Sequence, residues 1–256
     1  MSLSNVLFLF LAHLGVGIVC TLLLVSRDAG VKFFRFNAGL AVILIAVALA
    51  FQFDAALLVA EAALVIYWAT VGRMLAKVRP AIVGLAIGAG VASIVLQALR
   101  VSATWTAAAQ VLTVASFLSS ALFLGGACTA MILGHWYLVI PSMQVSHLQS
   151  IVKVHIASMV VRVVVVAAAI FVALVTWQPG SGPSFRYYVT SVAGIFFWQR
   201  VLFGLAGPAL LSYLTWETAK IRSTQSATGI LYVDFFTVVV GEVLAKYIVL
   251  ATRVAV

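Results

Sequence analysis

Apolar runs long enough to cross a lipid bilayer follow one another along this chain almost without pause. A spanning helix needs about 20 predominantly apolar residues. Residues 55–72 are typical, with Glu61 as their one charged residue. In hydrocarbon every backbone N–H and C=O must be paired inside the protein, which leaves helices and closed barrels. Barrel strands alternate apolar and polar positions over about ten residues, and these runs do not alternate. The sequence therefore predicts an all-α integral membrane protein. Composition agrees. Of 256 residues 65% are hydrophobic and 8% charged, against about 25% charged in soluble domains, and the mean hydropathy is +1.22.

The runs place spans at about 4–26, 35–53, 55–72, 81–99, 106–134, 148–177, 187–215 and 228–252, one transmembrane domain over residues 1–256. Gln52-Phe53-Asp54 joins the second and third so tightly that they form an antiparallel hairpin. The first loop carries Arg27, Lys32 and Arg35, and the third Arg73, Lys77 and Arg79. Lys153 follows the fifth span, and the seventh loop has Lys220 and Arg222, while the even loops offer Arg100 and Arg186. The positive-inside rule then predicts about eight crossings of an inner or plasma membrane, N-out and C-out. The same scatter of basic residues explains a net charge of +9 without nucleic acid, because no Lys/Arg cluster is dense enough for a phosphate-binding face. The first run has no basic residue before it and reads as a retained helix rather than a signal peptide. Cys20 and Cys128 lie within apolar runs and imply no disulfide framework. Gly84-x-x-x-Gly88 fits a close helix crossing, Gly125-Gly126 thins the fifth span, and Gly204, Gly207 and Pro208 predict a kink in the seventh.

Ionisable side chains inside spans cost roughly 2.5–3.5 kcal/mol each on insertion scales, so they face partners or cavities. In the eighth span Glu242 and Lys246 are four apart and can pair, with Lys246 alternatively snorkelling outward. Asp234 sits two turns earlier, as an interfacial carboxylate or the mouth of a proton path. Arg162 and Arg200 fall near mid-membrane and need carboxylates, for which Glu61 and Glu242 have the right depth. Together Glu61, Arg162, Arg200, Asp234, Glu242 and Lys246 form a candidate proton path or buried polar network.

His135, His147 and His155 fall toward the cytoplasmic side, and His13 toward the other. His135 and His155 are candidate axial ligands of a b-type haem. Trp136 and Tyr137 are either an interfacial anchor or the wall of a quinone pocket whose carbonyl a His or Tyr would bind. The polar run 222–229, ahead of Tyr232, either caps the last helix or lines that pocket. No Walker loop, dinucleotide fingerprint, His-Glu-x-x-His or Cys-x-x-Cys is present. The leading expectation is a membrane subunit of a respiratory or photosynthetic electron-transfer complex, binding quinone, haem b or both beside other redox subunits. The alternatives are a proton-coupled transporter or channel, an enzyme on a lipid-soluble substrate with His135 or Asp234 as base, and an accessory structural subunit.

Overall fold

The computed structural model describes residues 2–72, 77–140, 144–177 and 184–256; Arg73 of the third loop lies outside them. The described residues are helical nearly throughout: α1 Leu3–Leu22, α2 Gly30–Phe51, α3 Ala55–Thr70, α4 Arg79–Val101, α5 Ala107–Val139, α6 Val145–Val175, α7 Phe185–Thr190, α8 Ile195–Val201, α9 Gly207–Lys220 and α10 Thr224–Thr252. Among the described residues seven helical stretches are long and apolar enough to cross a membrane. The all-helical architecture expected from the apolar runs is thus present. The sixteen-residue α3 is apolar but shorter, about 24 Å of helix against about 30 Å of hydrocarbon.

Short connections send the helices back and forth between two ends. Asn5, Gln52, Arg100 and Leu250 border one cavity, which gathers both ends of the chain with the α2–α3 and α4–α5 connections. We call this the Asp54 end. At the opposite end Trp136, late in α5, donates to the Ala29 carbonyl at 3.1 Å. His147, early in α6, sits 3.0 Å from Asp28. Gln149 donates to the carbonyl of Ala219, late in α9, at 3.2 Å. We call this the Asp28 end.

The middle of the bundle is α1 packed on α5 and α10. Gly17 and Gly125 bring the backbones of α1 and α5 together, and a Cβ on either would run into the other helix. Thr21 locks the crossing by bonding Thr129 Oγ1 at 2.7 Å and the Gly125 carbonyl at 3.2 Å. Such contacts replace the hydrophobic driving force that lipid removes. Gly84 and Gly88 behave otherwise than expected. A Cβ on either would meet open space, and in α4 the close approach belongs to Gly90, against Val16. The i, i+4 glycine spacing only places both on one stripe, and here that stripe faces away from the bundle.

The expected seventh span is not one regular helix. It is α7, a 3₁₀ turn at Val192–Gly194, α8, a π-helical turn at Leu202–Ala206, and α9. Pro208 has no N–H, and its ring would press on the carbonyl four residues back. The π turn absorbs that clash, with Gly207 N–H reaching the Leu202 carbonyl.

Candidate functional site

The densest polar constellation lies in the core of the bundle, toward the Asp54 end. Glu242 of α10 accepts from Arg162 Nε of α6 at 2.9 Å and Nη2 at 3.2 Å, and from Arg200 Nη2 of α8 at 2.9 Å. Its Oε2 also accepts from Ser120 Oγ of α5 at 2.5 Å. Lys246 Nζ is 3.8 Å from the same oxygen and 2.6 Å from Ser120 Oγ. Arg162 is completed by Ser116 Oγ at 2.7 Å and by the Val256 carbonyl at 3.2 Å. Arg253 takes the left-handed conformation at φ 61° and turns the last residues back into the bundle to supply that carbonyl. Arg162, Arg200, Glu242 and Lys246 are all buried.

Three cations thus converge on one carboxylate. Desolvating such a group is favourable only if each polar atom finds a partner. Arg162 achieves this, whereas Arg200 Nε and Nη1 have no hydrogen-bond partner among the described residues. The pairing of Glu242 with Lys246 and with both arginines matches the expectation. Two other expectations fail. Lys246 does not snorkel, because Ser120 and the Phe117 ring, 4.9 Å from its Nζ, hold it inside. Glu242, not Glu61, is the carboxylate that pairs with Arg162 and Arg200, and Glu61 on α3 has Oε2 buried with no hydrogen-bond partner among the described residues.

A row of polar groups runs from this cluster toward the Asp54 end. His13 of α1 is fully buried, edge-on to Phe117 with ring centroids 4.9 Å apart. Lys246 Nζ stands 4.9 Å from the same Phe117 ring. Neither His13 ring nitrogen nor Gln97 Oε1 has a hydrogen-bond partner among the described residues. Gln97 Nε2 donates to Ser93 Oγ at 2.9 Å, and Ser93 donates to Asp54 at 3.0 Å. Asp54 caps α3 through Leu57 N–H at 2.9 Å and pairs with Arg100 at 2.9 Å. Gln97 and Arg100 line the cavity of about 170 Å³ noted above.

Toward the Asp28 end, His155 of α6 and Asp234 of α10 are both fully buried, Nε2 to Oδ2 at 2.8 Å. The contact lacks hydrogen-bond alignment, and His155 Nδ1 is also unpartnered. Phe123 stacks on the imidazole with centroids 5.3 Å apart and planes 1° from parallel. Asp234 is therefore no interfacial carboxylate.

His135 belongs to a different place. Its Nδ1 is 2.9 Å from Tyr232 Oη, and both line a cleft of about 350 Å³ with Phe36, Leu40, Met131 and Trp136. Phe36 and Tyr232 are 55% and 45% exposed, so the cleft is open at the surface of the bundle. Trp136 is a fixed wall, tied to Ala29 and edge-on to Phe33 at 5.6 Å. Tyr137 points elsewhere, donating to the Gln144 carbonyl and accepting from Leu148 N–H, so it fastens the α5–α6 turn. The polar run 222–229 contributes Thr228, which bonds the Gly134 carbonyl at 2.8 Å behind His135, but Ser223 makes no side-chain cap.

The structure does not bring the histidines together. His147 is at the rim with Asp28, and His13 lies near the Asp54 end. His155 is level with Phe123, twelve residues and about 18 Å of helix away from His135. Among the described residues no group of three or more His, Cys, Asp or Glu is placed to hold a metal ion.

Sequence reasoning passed over Ser116, Ser120, Ser93, Gln97 and Asp54 as site residues. The signal for the serines was present, in Ser116 and Ser120 four apart on one helical stripe, but serines are tolerated anywhere in a spanning helix. Compared with known proteins, the chain matches no family model and no curated relative.

Proposed function

We propose that this chain is a membrane-integral subunit of an electron-transfer assembly, and that the cleft between α2, α5 and α10 holds the ring of a lipid-soluble quinone. The cleft itself carries the reading. Ligand sites are mostly apolar concavities of about 300–1,000 Å³ with few polar groups, and this one has about 350 Å³ and the His135–Tyr232 couple. With Tyr232 donating to Nδ1, the neutral imidazole keeps its proton on Nε2, a donor for a quinone carbonyl. The indole of Trp136 supplies a flat wall for the ring, and the opening at the bundle surface leaves the isoprenoid tail in the bilayer. The pair His135–Tyr232 carries this reading rather than a haem between His135 and His155.

In the same reading the chain crosses an inner or plasma membrane eight times, α3 included, with both termini on the non-cytoplasmic side. The cleft then faces the cytoplasmic half, within reach of membrane or peripheral redox subunits. Even a thin α3 serves, since a bilayer adapts to a short helix at modest cost.

The test is photolabelling in proteoliposomes with an azido-quinone analogue. Label is expected on the peptides holding His135-Trp136 and Tyr232. His135→Leu with Tyr232→Phe is expected to weaken binding at least about tenfold, the loss of one to two hydrogen bonds. Label elsewhere, or equal affinity in the double variant, defeats the reading.

A further inference from the structure

Beyond the cleft, the fold carries a second polar system that quinone binding does not use. Its parts come from six helices: His13 on α1, Gln97 on α4, Ser116 and Ser120 on α5, Arg162 on α6, Arg200 on α8, and Glu242 and Lys246 on α10. Helix packing alone does not need it. Buried ion pairs are commonly no more stabilising than apolar residues of equal volume. The arrangement is also graded. At the Asp54 end is a cavity bordered by Asn5, Gln52 and Arg100, with the buried Gln97 lining it. Beside apolar Phe8, Leu9, Val101 and Leu250, the polar groups of Asn5, Gln52, Gln97 and Arg100 offer water its hydrogen-bond partners there. Fully buried His13 has both ring nitrogens without a hydrogen-bond partner among the described residues, and its ring centroid and Lys246 Nζ each lie 4.9 Å from the Phe117 ring centroid. Last comes Ser120, bonded to both Lys246 and Glu242.

We propose that Gln97, His13 and Lys246 form a one-sided proton path, along which protons pass between water at the Asp54 end and the Lys246 amine. The chemistry sorts the cluster into fixed and mobile charges. Arginine does not release its proton in a protein, whereas a buried lysine amine does. Arg162 and Arg200 therefore hold Glu242 as a permanent carboxylate, and Lys246 alternates beside it. In uptake, a proton carried by water past Gln97, the buried residue that lines the cavity, adds to one ring nitrogen of His13, and the imidazolium passes a proton on to the neutral Lys246 amine. Lys246 becomes an ammonium held by Ser120 and Glu242, and release runs the same steps backward.

The path stops there. Past Glu242, the next ionisable groups along α10 are Asp234 and its partner His155, eight residues and about 12 Å beyond that carboxylate and further from the Asp54 end. Gly241, packed against Gly204, and fully buried Val238 fill the interval. A half-path that ends at a titratable amine couples proton movement to another event, where an open channel would dissipate the gradient.

Two measurements test this on the full chain in sealed vesicles. With Cys20 and Cys128 changed to serine, Gln97→Cys is expected to react with a charged, membrane-impermeant methanethiosulfonate from the side that labels Ser2→Cys. The rate should exceed that of lipid-facing Ile43→Cys by at least about 100-fold, because thiolate forms only where water reaches. In a second protein Lys32, Lys77, Lys153 and Lys220 become arginine, leaving Lys246 as the one lysine for ¹⁵N labelling. Its signal is expected to change from ammonium to amine as pH is raised across the range in which the protein stays folded. His13→Gln is expected to slow exchange of the Lys246 protons with water at least about tenfold. An unreactive Gln97→Cys, a Lys246 fixed in one state across that range, or exchange unchanged in His13→Gln each overturns the proposal. None of these outcomes depends on whether quinone binds the cleft.

Discussion

Glu242 is the residue on which the core turns, because one carboxylate accepts from Arg162, Arg200 and Ser120 while Lys246 stands close by. Removing its charge leaves two guanidiniums and an ammonium buried without a counter-ion. Glu242→Gln is therefore expected to lower stability by about 3–5 kcal/mol, the usual result of deleting one partner of a buried pair, read as unfolding in mixed micelles. Lys246→Met is expected to cost clearly less, since Arg162 and Arg200 still neutralise Glu242. Equal losses from the two would mean that Lys246, not the arginines, balances the carboxylate. Much of this was legible at the residue scale. A charge inside an apolar run is costly wherever it points, so Arg162, Arg200 and Glu242 stood out at once. Serine carries no such cost, and Ser116 and Ser120 stayed hidden until the fold placed them against guanidinium and ammonium.

At the scale of elements, contact between helices is decided by which small residues oppose one another. Gly17 and Gly125 do, and Gly84 and Gly88 do not. Gly17→Leu is expected to destabilise by about 1–3 kcal/mol or more, as overpacking does, because the clash is with the backbone of α5. Gly84→Val and Gly88→Val are expected to stay within about 0.5 kcal/mol. Thermal unfolding in detergent compares the three. The π turn ahead of Pro208 was legible as an irregularity, because proline chemistry is local. Its consequence was not. The Gly204 that it contains packs on Gly241 beside the Arg200 guanidinium, so the irregular segment lets α8 approach α10 closely enough for Arg200 to reach Glu242.

At the scale of the whole molecule, the two polar systems occupy opposite halves of the bundle. The cleft and the His155–Asp234 pair lie toward the Asp28 end, and the Glu242 cluster toward the Asp54 end. With eight crossings, cysteines introduced at Ser2 and Arg253 in the cysteine-free chain label from one side of the membrane, and one at Asp28 labels from the other. Ser2 and Arg253 labelling from opposite sides would remove α3 from the set of crossings. The asymmetry has a functional reading, with lipid-soluble ligand chemistry at one face and proton access at the other.

The sequence by itself determined that the chain is helical, that its helices are apolar enough to span a bilayer, about where each lies and that Arg162, Arg200 and Glu242 need partners inside the bundle. All of these follow from solvation, which acts on each segment separately: hydrocarbon rejects unpaired backbone and isolated charge whatever the neighbours are. Only the tertiary structure decided the pairings. His135 met Tyr232 instead of His155, His13 and Lys246 met at the Phe117 ring, and Glu242 rather than Glu61 met Arg162 and Arg200. Each pairing depends on the rotation and crossing of helices, and those are set by backbone contacts such as Gly17 on Gly125. Hydropathy does not encode such contacts, because in lipid an apolar side chain is equally solvated facing a neighbour or the bilayer.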